Sequence, residues 1–148
     1  MRAVLQCVSE ARVEVDGATV GAVGPGFLIL LGVGHGDDEE TVRKLWGKIE
    51  KLRVFDDERG KTNLNLAAIG GSVLVVSQFT LYANCKKGNR PSFTDAAAPA
   101  EAQRLYEYFV SLARMSVPRV ETGRFGAMME VSLVNHGPFT ICLDTDNL

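Results

Sequence analysis

Four residues closing an apolar run are the first candidates for chemistry: Ser77, Gln78, Phe79 and Thr80 follow Val73–Val76. A hydroxyl at a strand end becomes a nucleophile only beside a base that takes its proton. The chain offers only His35 and His136 for that work, neither in a nucleophile motif, and it has no G-x-S-x-G elbow. A serine-type triad is therefore disfavoured. The same four residues also read as an ordinary strand end, where Ser and Thr bond their own backbone.

Two further segments carry polar chemistry. Lys86-Lys87-Gly88-Asn89-Arg90 puts three positive charges within five residues, and Gly88 lets the backbone approach a phosphate closely. The alternative is a solvated loop. Phe93 nearby can stack on a base or pin that loop. Asn135-His136-Gly137-Pro138 reads as a turn, and its rigid Gly-Pro tip offers carbonyls without side-chain bulk. Asp37 through Glu40 do not face one point on a helix and sit where a helix start favours acids. Cys7, Cys85 and Cys142 lie far apart and in odd number, which argues against a disulfide framework. No Cys or His pair has metal-ligand spacing, so a structural zinc is not expected.

The elements that must position these residues follow from periodicity. Ala3–Val8 and Arg12–Val15 read as strands, Asp16-Gly17 as a hairpin turn and Thr19–Val23 as the return. Phe27–Val33 and Val73–Phe79 are apolar runs suited to strands buried on both faces. Val42, Leu45, Trp46, Ile49 and Leu52 share one helical face, predicting a helix over 38–52. Leu64–Ala68 suggests a short strand, and Tyr82–Ala98 a long loop of the kind that is usually functional. A second helix opens near Pro99 and stops at Pro118. Two strands, Val131–Val134 and Phe139–Leu143, close the chain.

These 148 residues are expected to form a single domain spanning 1–148. The fold class is α+β: a curled, mostly antiparallel, barrel-like sheet with two main helices packed on it. A net charge of −2 is not the footprint of a protein that binds nucleic acid over its whole surface. Any such contact is local. No apolar run is long enough to span a bilayer, and no membrane partner is expected. The default expectation is a cytoplasmic protein.

Taken together and in order, several segments resemble the D-aminoacyl-tRNA deacylase family over essentially the whole chain. They are Met1 to Gln6, Ser77-Gln78-Phe79-Thr80-Leu81-Tyr82-Ala83, Arg90 to Asp95, Glu121 to Gly126 and Val131 to Thr140. The SQFTL and N-x-G-P-x-T motifs are both intact. The resemblance implies an enzyme that hydrolyses the ester of D-aminoacyl-tRNA, and of mischarged glycyl-tRNA, without metal or cofactor. It implies a homodimer in which the Gly137-Pro138 tip, with a cis peptide bond, enters the partner's site and excludes L-amino acids. Ser77, Gln78, Phe79 and Thr80 would line the ester site, with backbone N–H groups near Gln78 and Phe79 facing the oxyanion. The tRNA's terminal 2′-hydroxyl would help activate water, so Thr80 is not a covalent nucleophile. Lys86, Lys87 and Arg90 would touch tRNA. Two positions depart from the family: Cys7 and Asn89 stand where arginine is frequent, the first associated with steadying the Gly-Pro region.

Two rivals remain at this level. A non-catalytic RNA-binding module would bind through Lys86, Lys87 and Arg90 without hydrolysis. A small-molecule esterase would use Ser77 or Thr80 with His136.

Overall fold

In the computed structural model, which describes residues 1–148, the alternating amino-terminal segment is one strand, β1 (Arg2–Val15), rather than two. Exposed Ser9 and Glu10 mark a bend within it: β1 keeps one neighbour throughout and changes the other there. The turn that follows holds Asp16 and Gly17 at φ of 51° and 76°, the paired positive values of a type I′ hairpin. It leads into β2 (Ala18–Val23), then β3 (Gly26–Gly32).

Helix α1 (Glu39–Ile49) begins where the acidic run does. Asp38 accepts the Thr41 N–H at 2.9 Å while the Thr41 hydroxyl faces the Asp38 N–H at 3.4 Å, a reciprocal cap. The helix ends three residues before Leu52, the last position of its apolar face. The strand expected at 64–68 is displaced. A small hairpin, β4 (Phe55–Asp56) with β5 (Thr62–Leu64), forms instead, its turn held by Asp57 accepting from Arg59 and Lys61 N–H. Leu66 turns into the core.

Strand β6 (Ser72–Ser77) is shorter than its apolar run suggests, because Phe79–Tyr82 coil into a 3₁₀ turn. After the long loop come α2 (Pro99–Ser116), β7 (Val120–Thr122) and β8 (Glu130–Asp144). Strand β8 merges the two expected carboxy-terminal strands. Asn135-His136-Gly137-Pro138 does not reverse the chain; both flanks pair with β1 in one direction.

The sheet runs β2-β1-β3-β6-β7, with β8 also on β1. Strand β1 is antiparallel to β2, β3 and β8, as expected, but β3–β6 and β6–β7 are parallel. The sheet is therefore mixed, because each helix serves as a crossover returning the chain to the same end. Its ends curl together into a nearly closed barrel. A Cβ added to Gly21 on β2 would lie 2.5 Å from the Thr122 carbonyl oxygen on β7. Beside it Arg119 donates to the Ala22 carbonyl at 2.8 Å.

Both faces of β3 and β6 are buried. Phe27, Ile29, Leu31, Val73 and Val75 face the helices, meeting Val42, Leu45 and Trp46 of α1 and Leu105 and Phe109 of α2. Leu28, Leu74 and Val76 face the barrel interior with Val8, Val13, Val15 and Val23. Burying such side chains stabilises by about 1.5–3 kcal/mol each, so the β3–β6 pair is a stiff beam. No helix is long and apolar enough to cross a membrane.

Candidate active site

The beam ends at Ser77, which pairs with Leu31 at the last register position. Gln78 closes the ladder by donating its N–H to the Leu31 carbonyl at 2.7 Å. The chain then coils, with Leu81 N–H reaching the Gln78 carbonyl at 3.2 Å and Ala83 N–H the Thr80 carbonyl at 3.0 Å. At this edge the Gln78 side-chain amide donates to the Thr80 hydroxyl. The N–H groups of Phe79 and Thr80 find no acceptor within the chain. Gln78's own N–H is spent on Leu31, and those of Phe79 and Thr80 are the free ones.

Side chains distant in sequence hold this turn in place. Arg2 donates through Nη1 to the Leu81 carbonyl at 3.0 Å and through Nε to Asp144 at 2.9 Å. Its guanidinium also lies 4.5 Å from the Tyr82 ring centroid, within cation–π range. Burial, with the Asp37 carboxylate facing it, pushes the Tyr82 phenol well above its ordinary range. Asp37 accepts the Gly34 N–H at 2.7 Å and the Met1 amino group at 2.6 Å. Gly34 admits no side chain: an added Cβ would stand 2.5 Å from the Tyr82 oxygen.

The long loop folds back over the edge. Gly34 bridges to Ala96, and His35 Nε2 lies 2.8 Å from the Thr94 carbonyl oxygen. Phe93 packs edge-on against half-exposed Phe79 with centroids 5.2 Å apart. Phe93 therefore pins the loop. Beyond it Asn84 and Ser92 exchange backbone bonds of 2.7 and 3.0 Å, closing a hairpin whose tip carries exposed Lys86, Lys87 and Arg90. None of the three is ion-paired.

Gly137 and Pro138 stand elsewhere. The Gly137–Pro138 bond is cis. Gln6 pairs with Thr140 and Val8 with Asn135, so residues 136 to 139 have no register partner and project opposite Cys7. All but Phe139 are exposed. Cys7 is only 2% exposed, and burial pushes its thiol up to about 11. It is neutral near pH 7. Gln6, on the opposite face of β1, accepts the Thr140 hydroxyl.

Register sets the separation. Ser77 lines up through Leu31 and Ala3 with Leu143, while the tip sits opposite Cys7. Four residues along β1 and three strand spacings place the tip roughly 13 Å along and 14 Å across the sheet from Ser77. The chain thus brings Ser77, Gln78, Phe79 and Thr80 together and leaves Gly137 and Pro138 apart from them. Behind the turn lies an open cavity of about 420 Å³, lined by Arg2, Val4, Leu81, Cys142 and Asp144. Ser77 through Thr80 are not among its walls.

Comparison with known proteins identifies the family. The family model described as D-Tyr-tRNA(Tyr) deacylase matches residues 4–144. The D-aminoacyl-tRNA deacylase of Thermosipho africanus is 54% identical over 145 residues, covering 98% of this chain and 97% of that one. That of Thermotoga petrophila is 55% identical over 148 residues, covering 100% and 99%. Among solved structures, one titled c-Myc DNA Unwinding Element Binding Protein superposes with a TM-score of 0.92 at 37% identity, covering 97% and 98%. Another, titled as a probable eukaryotic D-amino acid tRNA deacylase, reaches 0.82 at 18% identity, covers 96% and 97%, and shares the fold. These matches define the class: the tRNA deacylases, an all-chain resemblance rather than a shared patch. The chain belongs to the D-aminoacyl-tRNA deacylase family, whose members are hydrolases.

Proposed function

We propose that this protein hydrolyses the ester joining a D-amino acid, or misplaced glycine, to the 3′ end of tRNA. One observation carries the reading beyond family membership. The edge Ser77–Thr80 is rigid but open, and the tip of the same chain lies too far along the sheet to close it. A second copy of the chain supplies the tip. In that homodimer Gly137 and Pro138 of one protomer face the ester edge of the other, and their carbonyls leave no room for an L side chain. The unpaired outer edge of β8 and its exposed Leu133 and Val134 favour such pairing.

Catalysis in this scheme is positioning and electrostatic stabilisation. The free N–H groups of Phe79 and Thr80 point to an oxyanion contact of the kind worth about 2.7–4 kcal/mol per donor. Thr80 is not activated as a nucleophile, since its hydroxyl accepts from Gln78 rather than facing a base. Water attacks the carbonyl carbon, assisted by the terminal 2′-hydroxyl. The ester C–O bond breaks, and the proton goes to the departing 3′-oxygen. Lys86, Lys87 and Arg90 hold phosphates of the acceptor end.

The test is hydrolysis of D-tyrosyl-, L-tyrosyl- and glycyl-tRNA by the purified protein, with EDTA present. Release of the D-residue and glycine with the L-ester spared is expected. Survival of all three esters beside intact tRNA binding would replace this reading with a nucleic-acid-binding module. The DNA-binding title of one structural relative and the unpaired basic hairpin favour that reading. Thr80→Ala is expected to retain substantial activity; near-total loss in a folded, tRNA-binding variant would restore a nucleophilic role.

A further inference from the structure

We infer that Gln6 is a positioning residue for the Gly137–Pro138 tip, acting through Thr140, and that this pair sets how strictly handedness is read. The inference rests on the reading above, in which the tip is the chiral gate.

The ladder between β1 and β8 is interrupted at one place. It runs to Gln6↔Thr140, skips, and resumes at Val8↔Asn135. Two steps on β1 thus face five on β8, and the surplus residues form the protrusion. A protrusion of this kind has two feet and needs both fixed to aim its tip. At one foot Asn135 stands beside Gly137, its Nδ2 being 3.7 Å from where a Gly137 side chain would begin. At the other, the Thr140 hydroxyl donates to the Gln6 side-chain carbonyl. That is the one side-chain hydrogen bond between the protrusion's feet and β1.

Nothing beneath the tip shares the task. Cys7, directly opposite, turns its side chain into the core cluster and carries no charge to offer. Gln6 and Thr140, paired in register, point to the other face of the sheet. In an isolated protomer water competes for this bond. In a dimer that covers the tip, water leaves, and a displaced hydroxyl or amide costs the full desolvation of its partner. A foot free to slide moves the tip carbonyls, and a misplacement near 1 Å is enough to change a rate about a hundredfold.

A double-mutant cycle tests the pair, reading the ratio of D- to L-tyrosyl-tRNA hydrolysis. Gln6→Met and Thr140→Val remove the bond while nearly conserving volume. Each is expected to lower the ratio about tenfold, and the double variant no further, the signature of a shared interaction. Thr140→Ser and Gln6→Glu keep a donor and an acceptor and are expected to restore discrimination. Unfolding midpoints of all variants are measured alongside, so that a lost fold is not mistaken for a lost gate. An unchanged ratio in folded Gln6→Met, or losses that multiply in the double variant, would overturn the inference. If Pro138→Ala lowers the ratio while Gln6→Met does not, the gate stands and the brace falls. A wild-type protein indifferent to handedness would overturn both.

Discussion

The ester edge and the Gly-Pro tip are built on opposite plans. The edge is held from every side: Gln78 by Leu31, Leu81 by Arg2, Tyr82 by packing on Gly34 and Phe79 by Phe93. The tip projects four residues without a ladder partner, and one side-chain bond secures it to β1. The edge is finished by its own chain, as the proposed oxyanion contact requires. The tip is left uncovered, as the proposed gate for a second protomer would have to be. Under the proposed function, the contrast means that stability and selectivity reside in different parts of this molecule and respond to different substitutions.

The comparison breaks most visibly at the beam. Phe27→Ala is expected to cost about 3–5 kcal/mol by urea unfolding, because Phe27 is fully buried between sheet and helices. A loss under 1 kcal/mol would mean the beam is not what holds the edge. Gly34→Ala comes next, at roughly 1–3 kcal/mol. It forces Tyr82 away from its seat, and hydrolysis of D-aminoacyl-tRNA is expected to fall with stability retained well enough to measure it.

Alkaline pH sharpens the same contrast. Burial pushes the Tyr106 phenol up to about 12 from 10.0, and the Cys7 thiol up to about 11 from 9.0. Both groups bind their protons more tightly folded than unfolded, so their contribution is whole below about pH 9. It is lost as pH rises towards about 12. Tyr106→Phe is expected to flatten this loss in unfolding curves taken across that window, though it also forfeits the 2.8 Å bond to the Val75 carbonyl. Smallest in stability is Pro138→Ala, within about 0.5 kcal/mol, because the residue is exposed. Its D-over-L ratio is nonetheless expected to collapse. A large stability loss with unchanged selectivity would erase the division between the two regions.

Much of this was legible in the residues. Both helices, the type I′ turn and the two buried strands follow from period and turn chemistry, since each is a local pattern repeated over several positions. The two motif segments fall at the end of β6 and in the protrusion of β8. What stayed hidden is non-local. Ser9 and Glu10 looked like the end of a strand because polarity interrupts alternation, yet β8 keeps pairing across them. Asn135 to Pro138 looked like a hairpin turn because turn residues do not say which strand receives the next segment. Strand β7 is three residues long, too short for any period. The clamp of Arg2 on Leu81 spans 79 positions, and Gln6 meets Thr140 across 134. No spacing rule reaches that far. The parallel pairing at the centre is likewise a product of helical crossovers, which alternation within a strand does not encode.

The seam between β2 and β7 makes the barrel a split ring. Every other junction in the ring is a ladder whose bonds must break together, whereas this one is closed by the Arg119 guanidinium and by the nearness of Gly21 to Thr122. Mechanical breathing therefore gathers there, and the amides of Ala18–Val23 that face away from β1 are expected to exchange hydrogen before those of the beam. Val13, Val23 and Leu74 inside the ring can readjust through that split while the β1–β3 ladder across the ring from it keeps its shape.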